Sequence, residues 1–439
     1  MGRIGGGAYR ARARDALTTS ARVLATVNTT SLETRLATGY AGSPSEPRVL
    51  ALDGVRGLAI IVVMINNVYP PTHAALRGAT GFVWHLSNLG WVGVDLFFVL
   101  SGFLITGILS DTKNAPHYLR NFYGRRIVRI FPLFYAALCV TYFVVPALLH
   151  HPAGSVAQLH RLKWFEWFYL GNFGYYFVGY PPFPTVHLWS LAVEEQFYFV
   201  WPLVVLLVER ETLKKVCVAL IATSVALSIL WMLTSGDEKA LYLLTPFRAQ
   251  GLLLGALMAL TLRGPGGARA LTRWLKPLAL ASAGPALALM LWTELSRSRV
   301  AAAVVGTLGF PLIVFALGGL LLAAVGAAPG SRTHRFFTSK TMRFMGRYSY
   351  AMYVFHEFVL WGANTFAPWT VAPPKVWGSY VPLGLAVLVG VVGVTIALSL
   401  LSWHLYEKQF LKLKRYFPYA REVRQDTGIA PDVVSAAAP

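Results

Sequence analysis

Apolar positions between residues 50 and 405 fall in long unbroken blocks, without the alternation of a half-buried strand or the narrow stripe of a soluble amphipathic helix. Ten blocks reach about 20 residues, the length an α-helix needs to cross the hydrocarbon core of a bilayer. Their limits are about 50–69, 89–110, 130–149, 188–208, 215–234, 244–262, 275–293, 300–326, 345–366 and 380–405. The pattern predicts an all-α, polytopic membrane bundle of about ten transmembrane helices. One more segment, WFEWFYLGNFGYYF (164–177), is too short and too rich in Trp and Tyr to span. Such rings favour the membrane interface, and it is expected there.

Composition agrees with the pattern. Of the 439 residues 56% are hydrophobic and 13% charged, against about a quarter charged in soluble proteins. The net charge of +20 would suit a nucleic-acid binder, but its distribution excludes that class. With the N-terminus in the cytoplasm, 30 of the 39 Lys and Arg fall in inner segments and 7 in outer ones, leaving Arg56 and Arg248 within spans. The charge is therefore topology, and both termini are expected in the cytoplasm. Residues 1–48 form a basic tail without the apolar run of a signal peptide and are expected to be flexible. Residues 49–411 make the membrane domain, and 412–439 a second polar tail. Cys139 and Cys217 both lie in apolar runs and imply neither a disulfide framework nor a metal site.

Ionisable groups at membrane depth are costly and mark function. In the first span Arg56 and Asn67 are eleven residues apart, three helical turns plus about 20°, so they share a face about 16 Å apart. Either they serve a ligand path, or Arg56 snorkels to headgroups while Asn67 bridges helices. Asp95, in the second span, calls for an inward-facing cation. Arg125, Arg126 and Arg129 open the third span; three guanidiniums suit a phosphorylated ligand as well as they suit ordinary inner-face charge. His187, Ser190 and Glu194 follow one face of the fourth span, with Glu195 about 100° round. They fit a base and its orienter, or a structural hydrogen-bond network. In the ninth, Ser349, Tyr353 and His356 share a face, with Glu357 beside them.

Five stretches, LDGVRG, GVDLFFVLSGFLI, RRIVRIFP, HLWSLAVEEQFY and GRYSYAMYVFH, stand in that order. Together they resemble the acyltransferase 3 family of integral membrane acyltransferases, from about Leu52 to Phe410. The resemblance implies a multi-pass protein of the plasma membrane with both termini cytoplasmic. It implies transfer of an acyl group, commonly acetyl, from cytoplasmic acyl-CoA to a hydroxyl of an extracytoplasmic glycan, lipid or small molecule. Acyl-CoA is then a donor substrate, and no bound cofactor is expected. Some members carry a further C-terminal domain, and a stand-alone form is expected here. Arg56 matches the arginine of the family's Arg-x10-His motif. Arg125, Arg126 and Arg129 match the arginine cluster associated with donor binding, and Glu194 the acidic position of its WSL-x-x-E element.

Two positions depart from the family. Gln409 stands where a proline is usual, and the motif histidine falls on Asn67. Asparagine cannot take up a proton as a general base, although it can donate to a thioester carbonyl or a developing oxyanion. The base is then expected to be His187, His356 or Glu194, with Glu194 and His356 as an interior pair. Asn67 also leaves open a relative that binds acyl-CoA or a glycolipid without turnover. A transporter with Asp95, Glu194 and Arg56 along its path is a third reading, although the chain shows no internal repeat of the kind many transporters carry.

Overall fold

The computed structural model describes residues 50–68, 78–148, 153–182, 184–296, 298–367, 374, 376 and 381–419. The expected tail 1–48, and the part of the second tail beyond 419, lie outside the described residues. The chain forms helices α1 (Leu50–Val68), α2 (Gly78–Asn88), α3 (Val92–Thr112), α4 (Tyr118–Cys139), α5 (Ala153–Trp167), α6 (Gly171–Phe177), α7 (Leu188–Leu207), α8 (Arg210–Thr234), α9 (Gln250–Leu262), α10 (Gly267–Ser296), α11 (Phe310–Gly326), α12 (Lys340–Phe366) and α13 (Val381–Ser402). Shorter turns join them.

Eight helices among the described residues are long and apolar enough to cross a membrane. The two that fall short of the expected ten do so for different reasons. Helix α9 has 13 residues, twelve of them buried. Enclosed by α3, α8, α10 and α11, it need not match the bilayer in length. Helix α12 is long enough at 27 residues but carries Lys340, Arg343, Arg347, His356 and Glu357, of which Lys340 and Arg347 are exposed and His356 is buried.

The bundle is built around α1, α3, α9 and α12. Small residues let their backbones meet, which is how membrane helices associate without a hydrophobic drive between them. A Cβ at Gly346 would overlap the Asp53 carbonyl, and one at Gly102 the Leu252 carbonyl. The first contact locks α12 onto α1, the second α9 onto α3. Helices α8, α10 and α13 form the outer wall, with Leu233, Leu280 and Val389 exposed, as a lipid-facing surface requires. Prolines 132, 202, 277 and 285 sit inside helices.

Asp95 meets the cation its position calls for. Arg248 Nη2 lies 3.0 Å from Asp95 Oδ1, with the side chains 1% and 2% exposed. The guanidinium is boxed by the rings of Phe310, Tyr242, Trp189 and Phe98 at 4.1–5.8 Å. Arg248 stands where the helical run breaks before α9, so the pair ties that break to α3.

Candidate active site

Three helices bring three of the predicted residues to one level. Asn67 is 17 residues into α1 and His356 is 16 into α12, each about 25 Å along its axis. Helix α7 runs the other way, and His187 is its N-cap. Asn67 Nδ2 lies 3.0 Å from His356 Nε2, and the His187 and His356 rings are 5.0 Å apart.

The hydrogen bonds assign the tautomer. His356 Nδ1 is 2.7 Å from the Tyr353 carbonyl, which can only accept, so Nδ1 carries the proton. In the neutral ring Nε2 is then the acceptor, and the Asn67 amide donates to it. Asn66 Nδ2 in turn donates to Asn67 Oδ1 at 2.9 Å, which orients that amide. Glu357 Oε1 is 3.7 Å from Nε2, placed to stabilise an imidazolium. His187 is buried, and its ring nitrogens make no hydrogen bond of good geometry among the described residues.

One turn deeper, the Tyr353 hydroxyl donates to the His187 carbonyl at 2.8 Å. Its proton committed, it accepts from Ser190 Oγ at 2.6 Å. A further turn down, Ser101 Oγ donates to Glu194 Oε1 at 2.8 Å and Tyr198 to Oε2 at 3.2 Å. The Arg126 guanidinium lies 5.1 Å over the Tyr198 ring. Ser190, Glu194 and Tyr198 are spaced by four residues on α7, about one turn each. The result is a polar column through an apolar bundle, from Arg126 and Arg56 at the end that the charge bias assigns to the cytoplasm, to Asn67 and His356 near the other.

The remaining predicted residues are distributed differently from expectation. Glu194 and His356 are not hydrogen-bonded to each other among the described residues; the Ser190–Tyr353 layer separates them, and His356 meets Asn67 instead. Nor do the three arginines of α4 converge on one point. Arg125 donates to the Phe417 carbonyl at 3.1 Å and stacks 4.3 Å over Tyr419, Arg126 faces the column, and Arg129 acts on Glu407. Arg56 reaches back to Asp53 at 3.2 Å. Ser349 bonds within its own helix, to Gly346.

Sequence reasoning missed Asn66, Ser101 and Tyr198. Tyr198 was detectable as the next residue on the Glu194 face. The aromatic 164–177 segment also holds more than interface rings. Glu166, 2% exposed, accepts from Tyr142 at 2.8 Å, from Thr185 at 2.7 Å and from Tyr175. This pins the approach to His187.

Comparison with known proteins places this geometry. The acyltransferase domain that defines the acyltransferase 3 family matches residues 49–403. The peptidoglycan O-acetyltransferase OatA of Listeria monocytogenes is 30% identical over 348 residues, 76% of this chain and 52% of that protein. The O-acetyltransferase OatA of Staphylococcus aureus is 29% identical over 354 residues, 73% of this chain and 52% of that protein. The chain thus spans about half the length of these relatives. No solved structure matches.

Proposed function

The chain belongs to the acyltransferase 3 family, and from that premise we propose that it moves an acyl group, acetyl first among them, from cytoplasmic acyl-CoA to a hydroxyl of a glycan outside the plasma membrane. The observation that carries the reading is the Asn67 amide seated on His356 Nε2, at the far end of a polar column that starts at arginines.

The donor phosphates bind Arg126 and Arg56, with Arg125 and Arg129 flanking, since guanidinium forks match phosphate oxygens. The pantetheine arm follows the column past Glu194 and Ser101 and brings the thioester carbonyl to the level of Asn67. The acceptor hydroxyl takes the place of the amide at Nε2. His356 removes its proton as the oxygen attacks the thioester carbon. Tyr353 O holds Nδ1–H, and with it the tautomer, in the orienting role a carboxylate plays in serine hydrolases. The displaced Asn67 amide donates to the oxyanion. On collapse the carbon–sulfur bond breaks, the ester is released, and the proton passes from His356 to the thiolate. The His187 ring, whose nitrogens make no hydrogen bond of good geometry among the described residues, packs against the imidazole.

The relatives named as peptidoglycan O-acetyltransferases make peptidoglycan sugars the first acceptor class to try. Purified protein in lipid nanodiscs, given labelled acetyl-CoA and a panel of glycans including peptidoglycan fragments, is expected to label a sugar ester. Donor binding without transfer to any acceptor would refute turnover. Asn67 itself favours a second reading, a relative that binds acyl-CoA or a glycolipid without turnover. Asn67→His separates the two: activity gained only in that variant supports the second reading, and comparable activity in both supports the first.

A further inference from the structure

Beside the polar column the bundle holds a second concavity that acyl transfer as described does not use. A cavity of about 500 Å³ lies between α1, the turn joining α2 to α3, α10 and α11, in the half of the bundle that holds Asn67. Its walls include Val62, Ile65, Gly90, Ala286, Met290 and Ile313. Ser87 brings the one side-chain hydroxyl of the lining, and that donates to the Trp84 carbonyl at 2.7 Å. The walls therefore offer a ligand no side-chain donor, and what fits them best is hydrocarbon. Entering from lipid, a chain exchanges one apolar surrounding for another and gains little. Selectivity has to come from the rim.

The rim is polar. One turn beyond Met290 on α10 stands Glu294, whose Oε1 accepts from Asn88 Nδ2 at 2.8 Å and lies 3.2 Å from His85 Nδ1. Its second oxygen has no partner among the described residues, and the His85 and Glu294 side chains keep 25% and 21% of their surface. A carboxylate with an open oxygen beside an amide and an imidazole suits hydroxyl groups and repels phosphate. The rim is also wired to the reaction site. A Cβ on Gly90 would overlap the Val62 carbonyl and crowd Asn66, so groove wall and Asn66 are in direct contact. From Asn66 two hydrogen bonds lead to His356 through Asn67.

We propose that the groove and rim are the acceptor site and that the acceptor is a neutral glycolipid. Its hydrocarbon chain lies along Ile65 and Ala286, its sugar hydroxyls bind Glu294, Asn88 and His85, and one hydroxyl turns over Asn66 toward His356. This rests on the acyl-transfer reading and narrows it: the sugar is presented on a lipid. The bonds made and broken are those given above.

The test uses the full chain in nanodiscs, labelled acetyl-CoA, and two acceptors with the same sugar: a long-chain alkyl glycoside and its methyl glycoside. Transfer to the alkyl glycoside is expected at about tenfold or higher kcat/KM, a difference of ~1.4 kcal/mol. Ala286→Trp, which fills the groove, lowers that preference about tenfold, whereas Glu294→Gln, on the rim, lowers transfer to both glycosides about tenfold and leaves the preference between them. Methyl-glycoside transfer, which does not use the groove, is spared in Ala286→Trp, and acetyl-CoA hydrolysis, which uses no sugar, reports an intact catalytic centre in both variants. Equal use of the two glycosides, an equal loss on both in Ala286→Trp, or no loss on either in Glu294→Gln, overturns the proposal. Binding of the alkyl glycoside, read by native mass spectrometry, separates this proposal from the reading beneath it. Binding lost in Ala286→Trp, in a protein without turnover, sinks acyl transfer and keeps the site. Indifference to Ala286→Trp, or a phospholipid of equal chain length bound as tightly, sinks the site.

Discussion

Replacing His356 with alanine tests the reaction most directly, because it removes the acceptor nitrogen at the outer end of the column and little else. The ring is fully buried and makes two neutral hydrogen bonds, at 3.0 and 2.7 Å. Losing them costs about 1 kcal/mol each; the cavity adds to that, and the α1–α12 contact at Gly346 is untouched. Loss of a general base slows the chemical step by about 10²- to 10⁴-fold, an added barrier of roughly 3–5 kcal/mol. In the proposed reaction the arginines that hold the donor lie about 16 Å away along the column, so the loss belongs in kcat, with KM for acyl-CoA unchanged. Asn67→Ala removes the oxyanion donor and is expected to cost about 10²-fold or more. The two side chains serve one transition state, so the double variant falls well short of the product of the single losses. Steady-state transfer of labelled acetyl to a saturating acceptor reads all three proteins. A kcat within about threefold of wild type in His356→Ala would exclude His356 as the base and with it the assignment of Nε2.

Arg126→Leu is expected to raise KM for acyl-CoA about tenfold or more, a lost charge-assisted pair being worth ~1.5–3 kcal/mol. Arg125→Leu, which releases the 417–419 segment, changes it far less; equal effects would contradict the fan of the arginines. Asp95→Leu leaves Arg248 buried and unpaired and should destabilise the fold by about 3–5 kcal/mol, whereas Asp95→Leu with Arg248→Met should recover most of that. Thermal unfolding in detergent decides, and a double variant no better than the single one would point to a role for Arg248 beyond its pair. Burial holds the Glu166 carboxyl above its usual range, against its three hydroxyl donors. Between the unfolded pKa of about 4.3 and the raised folded value, the folded protein keeps a proton that the unfolded chain has lost. Stability therefore falls as pH rises through that window. Glu166→Gln should remove that part of the slope, and parallel wild-type and variant profiles between pH 4 and 8 would refute it.

How far residue patterns reach into this fold is visible at particular helices. Eight spans were legible because hydrocarbon imposes length and apolarity together. Helix α9 escapes the length rule because protein surrounds it, and α12 falls short on apolarity because it carries exposed charges at one end as well as the column side chains Tyr353 and His356. Helical arithmetic placed Arg56 and Asn67 on one face, and His187, Ser190 and Glu194 on another. Which face meets which is a tertiary fact. The bond between Asn67 and His356 joins residues 289 apart in sequence, and no period reports it. Ser101 and Gly102 are adjacent small residues of α3. Gly102 does pack, against the Leu252 carbonyl, while its neighbour is the donor to Glu194.

Asn67, expected from the resemblance to stand where the family motif has a histidine, looks at first like the loss of a base. The geometry changes what the substitution means. A side chain at position 67 and the imidazole of His356 face each other across 3.0 Å, so one site can draw its proton acceptor from either helix. With histidine on α1 the two rings would share that role. With asparagine there, the only nitrogen lone pair in the pair belongs to His356, and the amide supplies a donor in place of a second base. A hydroxyl entering from the outer side then meets an acceptor and a donor within one hydrogen bond of each other. Addition to a thioester needs that combination, since one proton must leave as one oxyanion forms.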